Sequence, residues 1–136
     1  MKAVNELDFI TNEKMNKSVI LKFVNALNLQ DLPLIIDMMS EDFCFIDTYG
    51  EQTNREQMIN GWKAYFDWFP DYHIEIKEYI GNEDFSVILG AASGSYLGNQ
   101  DKRWAFPAAW KVIVKREQIQ LWQVFCDSKK QLDSLN

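Results

Sequence analysis

Among its 136 residues the chain has one histidine, His73, two cysteines, Cys44 and Cys126, and three prolines. The cysteines stand far apart, so no zinc-binding spacing can be assembled with the lone histidine. Both occupy apolar, strand-like text and are expected to be reduced thiols serving as small core residues. The six glycines form no GxSxG elbow, GxGxxG loop or P-loop, which argues against acyl-enzyme, dinucleotide and phosphate chemistry. No cofactor and no metal are implied. Basic residues are also scarce: 14 Lys and Arg against 20 Asp and Glu leave a net charge of -6, with no basic stripe to offset it. That balance repels a phosphate backbone, so nucleic acid is not an expected partner. The opening "MKAVNELDFITNEKMNK" lacks an apolar h-region, and no apolar run approaches the length of a membrane span. A cytoplasmic protein without a membrane partner is expected. There is no repeat, low-complexity tract or linker, and the length suits one domain spanning 1–136.

What the chain does have is apolar material, 47% of residues, with a charged fraction of 25%. Such a composition can bury a sizeable core. Val19, Phe23, Ala26 and Leu27 recur at helical spacing, predicting a helix over roughly residues 14–28. Asp31, two residues before Pro33, reads as the N-cap of a short second helix through "LIIDMMS". From Phe43 the text turns aromatic and β-branched, and alternation puts Phe43, Phe45, Asp47 and Tyr49 on one side of a strand. A third helix is expected after Gly50. Its capping box would run from Thr53 to Glu56, with Met58, Trp62, Tyr65 and Phe66 as the buried stripe and Pro70 as the stop.

The remainder reads as strands near 72–81, 84–97, 104–115 and 119–127, separated by "GNED", "GNQD" and "KREQ". Helices followed by most of a sheet predict an α+β fold, with the helices on one face of a largely antiparallel sheet. Gly90, Ala92, Gly94 and Gly98 fall on one face of a strand, where small side chains either bend it or leave space above the sheet.

Taken in order, these segments resemble the NTF2-like superfamily, and within it the ketosteroid isomerase and SnoaL-like polyketide cyclase branch. "ILKFVNALNLQDLPLIIDMMSEDFCFIDTYG" lies without gaps on the first helices and first strand of ketosteroid isomerases, and "FPDYHIEIKEYIG", "GSYLG" and "WQVFCD" are similar to SnoaL-like segments. The resemblance implies an NTF2-like cone: a curved, largely antiparallel sheet wrapped around about three N-terminal helices, with a deep apolar cavity. It implies walls from Trp62, Phe66, Trp110 and Trp122, with Tyr49 and Val124 among the ligand contacts, and a homodimer paired through the outer sheet face, for which Val112, Val114, Leu121 and Phe125 are candidates.

Asp47 falls on the catalytic base of those isomerases. A carboxylate among aromatic rings is costly to ionise and suits proton removal from carbon beside a carbonyl; the alternative is a strand-end acid bonded to the turn at Thr48 and Gly50. The isomerases add an oxyanion hole of a tyrosine and a protonated aspartic acid. The aligned positions here are Phe23 and Ala109, which offer no side-chain donor, so steroid isomerisation in that manner is not expected. Asp127 resembles the acid that closes the last strand of SnoaL-like cyclases. If Trp122, Val124 and Cys126 face the cavity, however, alternation turns Asp127 away, where it would cap a helix through "SKKQLDSL". Val124 stands where limonene epoxide hydrolases carry an inward aspartate, which argues against their water-activating acid network. His73, just after "PDY", is a further candidate proton donor or a rim residue. Two readings result: a protein that binds a small hydrophobic molecule and uses Asp47 for an isomerase or cyclase reaction, or a non-catalytic ligand-binding or protein-interaction module of the same fold.

Overall fold

One face of the first helix carries Ile20, Phe23, Ala26 and Leu27, all without exposed surface, and this stripe is what the sheet wraps around. The computed structural model describes residues 6–136, with side chains from residue 12 onward. In chain order the elements are α1 (Glu6–Leu29), α2 (Leu32–Met38), β1 (Met39–Ile46), β2 (Gln52–Asn54), α3 (Arg55–Trp68), β3 (His73–Gly81), β4 (Ser86–Ser95), β5 (Arg103–Lys115), β6 (Gln118–Cys126) and α4 (Lys129–Ser134). The strands form one curved, unclosed sheet in the order β2-β1-β6-β5-β4-β3. Only β1 and β6 pair in parallel; every other pairing is antiparallel. This is the α+β, NTF2-like cone that the sequence predicts.

Local chemistry accounts for the element ends. The carboxylate of Asp31 accepts from the Leu34 N–H, so the expected cap of α2 is in place. Helix α1 extends to Leu29 and turns through Gln30 in the left-handed region, φ 55°, a position glycine usually fills. The Gln30 amide donates to the carbonyls of Phe69 and Pro70, which ties the strained turn to the far end of α3. Asn28, two residues earlier, bonds both the N–H and the carbonyl of Ile74, covering part of the free edge of β3. The capping box of α3 is Asn54 with Gln57, one residue later than the expected Thr53 and Glu56. Thr53 is occupied as a strand residue, paired with Phe45.

Three register shifts bend the sheet, one within β3, one between β5 and β6, and one between β1 and β6. Gly90 sits opposite the first. A Cβ there would lie 1.9 Å from the carbonyl oxygen of Glu75, so backbone approach explains this glycine. Inward residues of the long strands make the core: Ile88 and Ala92 from β4, Trp104, Trp110 and Val112 from β5, Trp122 from β6. Val112 therefore does not belong to the outer face proposed for pairing, and Val114 also packs against the core. Leu121 and Phe125 do face outward, because their neighbours Trp122 and Val124 point in.

Candidate functional site

Between α3, the concave side of the sheet and α4 lies a cavity of about 400 Å³. Its walls follow from two periodicities. Along α3, Met58, Trp62 and Tyr65 recur at helical spacing and present one face to the hollow. Along β6, Trp122, Val124 and Cys126 alternate inward, and Trp110 and Phe106 do the same on β5. The small Ala92 forms part of the β4 wall and leaves room above it. At the open end stand Tyr49, with 72% of its surface exposed, and Leu132 of α4.

Asp47 lines this cavity just beyond the end of β1. Its Oδ1 accepts from the backbone N–H groups of Tyr49, at 2.8 Å, and Glu51, at 3.0 Å. The main chain closes the same turn, with the Gly50 N–H donating to the Asp47 carbonyl. The carboxylate is thus both a turn former and a cavity group, and Oδ2 is the oxygen that the turn leaves free.

Of the other residues named from sequence, Tyr49, Trp62, Trp110, Trp122 and Val124 line the cavity. Phe23 and Phe66 do not reach it. Phe23 is fully buried and meets Trp122 and Trp62 edge to face at 5.1 and 6.3 Å, while Phe66 stacks on Trp62; they fix the wall from behind. Ala109 lies on the opposite face, paired with Phe125, because its neighbours Ala108 and Trp110 are the inward residues of β5. Asp127 is exposed and off the cavity; its carboxylate accepts from the Lys129 N–H at the start of α4. His73 is exposed at the start of β3, next to the inward Ile74, and is also off the cavity. Among the described residues no three His, Cys, Asp or Glu side chains gather as metal ligands.

Four further polar residues of the cavity wall, Tyr65, Tyr72, Cys126 and Gln131, are not among the site residues proposed from sequence, although Tyr65 is read there as helix core and Cys126 as inward-facing. The Gln131 amide donates to the Tyr65 hydroxyl and so fastens α4 across the cavity. Burial pushes the Tyr65 phenol well up from its usual value, and the hydrogen bond from Gln131 only partly opposes this. Tyr72 is pushed up by burial and by the nearness of Tyr65 and Cys126, and the Cys126 thiol is raised by burial and by the charge of Asp127. All three are held in their neutral, protonated forms. Helical spacing after Trp62 marks Tyr65, and alternation marks Cys126; nothing local marks Tyr72, which precedes β3, or Gln131 on a short terminal helix.

The SnoaL-like domain family matches residues 20–122, most of the chain. The chain belongs to this family. Solved structures share its fold. A presumptive SnoaL-like polyketide cyclase from Shewanella putrefaciens is 18% identical, with a TM-score of 0.74 over 88% of this chain and 94% of that one. A protein with a ketosteroid isomerase-like fold from Catenulispora acidiphila, in complex with trimethylamine, is 23% identical, with a TM-score of 0.72 over 85% and 90%. An NTF2-like protein of unknown function from Cytophaga hutchinsonii is 14% identical, with a TM-score of 0.66 over 96% and 97%. No curated protein matches the chain. Among the described residues no helix is long and apolar enough to cross a membrane.

Proposed function

We propose that this SnoaL-like protein binds a small apolar or aromatic molecule in its cavity, in the cytoplasm, and that Asp47 moves a proton on that ligand in an isomerase or cyclase reaction. The observation that supports this is one enclosure with tryptophan and phenylalanine walls and a carboxylate fixed at its edge. Two N–H donors hold Oδ1, so Oδ2 has a defined position without a further partner, as a base aimed at a bound ligand requires. The second reading, a binding module without turnover, is favoured by the same two bonds, since they give Asp47 a structural task, and by Phe23 and Ala109 lying off the cavity.

The experiment incubates the protein with two-ring aromatic ketones in D2O and follows deuterium entry beside the carbonyl by NMR. Asp47→Asn keeps an acceptor for the turn and removes the base. Exchange slowed about 100-fold or more in the variant supports proton transfer. Binding with no exchange in either protein supports the module, and no binding at all refutes both readings.

Pairing of two copies through the outer sheet face is part of the proposal. Phe125, 52% exposed, stands there beside Leu89, Pro107 and Ala109. Sedimentation at micromolar concentration should give a dimer that Phe125→Glu dissociates; a monomeric wild type refutes it.

A further inference from the structure

Tyr72 is 8% exposed, and its ring is wedged between Tyr65, with centroids 5.0 Å apart and planes at 84°, and Trp104. Among the described residues no group hydrogen-bonds its hydroxyl. Among the described residues, Trp104 Nε1 is the one buried side-chain polar atom that is both sealed and without a partner. The Tyr72 oxygen is therefore not among the sealed atoms, and the residue lines the cavity. A buried hydroxyl without a partner is costly unless something else takes the bond. Tyr65 adds a second donor: Gln131 occupies a lone pair of its oxygen and leaves the O–H free to donate. Phe66 and Phe69 pack on the Tyr65 ring and hold that hydroxyl in place.

We propose that the phenols of Tyr65 and Tyr72 form an acceptor-binding subsite, which takes an uncharged oxygen, such as a ketone or quinone carbonyl, on an otherwise apolar ligand. Both groups stay protonated, because burial raises both phenols, so they serve as donors and not as bases. The pair comes from the end of α3 and the turn before β3, so it needs neither Phe23 nor Ala109. This inference rests on the cavity being a ligand site.

The test compares 1-tetralone with tetralin, the same skeleton without the oxygen, by calorimetry on wild type, Tyr72→Phe and Tyr65→Phe. Each variant keeps its ring, and circular dichroism melts confirm the fold. Tyr72→Phe should weaken tetralone about tenfold and leave tetralin within about twofold. The carbonyl stretch of bound tetralone, lowered in wild type, should return toward its value in a hydrocarbon solvent. Tyr65→Phe should act in the same sense but less, since Gln131 is then free to donate in its place. Equal binding of both probes to wild type and both variants overturns the subsite and leaves the cavity reading standing; binding of neither probe to wild type overturns both.

Discussion

Replacing Ala92 by leucine tests whether the hollow is empty space or packed protein. Ala92 is 3% exposed on the cavity wall, flanked across the sheet by Ile74 and Phe106. Leucine adds three carbon atoms on the concave side. In a close-packed interior that insertion costs about 1–3 kcal/mol, because neighbours must leave their rotamers. Here the side chain enters a space of about 400 Å³. Three buried carbons contribute about 2 kcal/mol of transfer free energy, reduced by about 0.5–1 kcal/mol for the lost rotamers of leucine. The net gain is about 1 kcal/mol, a rise in Tm on the order of 4 °C for a chain of this size. The same substitution takes volume from the ligand, so affinity for tetralin should fall about tenfold or more. Differential scanning calorimetry reads the first effect and titration calorimetry the second. A Tm lowered by several degrees refutes the hollow; a raised Tm with unchanged affinity places the ligand elsewhere.

Two further substitutions follow from the packing. Phe23→Tyr, which restores the tyrosine of the ketosteroid isomerases, should destabilise by about 1–3 kcal/mol in urea titration and add no ketone affinity, since the hydroxyl enters the contact with Trp62 and Trp122 and not the cavity. Asp71→Asn removes a charged acceptor that binds the Ser95 N–H at 2.8 Å and the Ser95 hydroxyl at 2.6 Å. Burial opposes ionisation of Asp71, yet these bonds together hold its carboxyl below the ordinary carboxylate value. A depressed folded pKa stabilises above the unfolded value and is lost as pH falls through the folded one. The variant should therefore trail wild type by a constant margin at neutral pH, about 1–2 kcal/mol, and the gap should close below about pH 4; a gap that persists at pH 2 refutes the assignment.

The main strands were legible because each alternates, and the helical stripes because Phe23, Leu27, Met58 and Trp62 recur at helical spacing. Strand β2, three residues long, carries no periodicity to read. The α3 cap slipped by one because Thr53 with Glu56 and Asn54 with Gln57 both satisfy the spacing, and only the pairing of Thr53 with Phe45 decides between them. Ala109 shows where alignment and alternation conflict: the buried Trp104, Phe106, Ala108 and Trp110 put it on the outer face, whatever stands at its aligned position elsewhere. Tyr72 was illegible for a different reason. Its place in the site depends on the packing of Tyr65 and Trp104 around it, and the contact with Trp104 spans more than thirty residues of chain.

The topology accounts for where the polar groups gather. Because β1 and β6 run in parallel, Ile46 and Gln123 in register, both strands leave the sheet at the same end. The chain after β1 must turn back at once to form β2, which forces the tight turn that Asp47 closes. The chain after β6 meets no further strand and becomes α4, beside that turn, where Thr48 and Ser128 approach to 3.5 Å. An antiparallel pair would have sent the two exits to opposite ends of the cone. The single parallel pairing thus places the turn carboxylate and the Gln131 side chain around one opening, while the aromatic stripes of α3, β5 and β6 close the other sides. The cavity lining thereby draws Asp47 from the turn after β1, Gln131 from α4, and Tyr65 and Tyr72 from the end of α3 and the turn before β3.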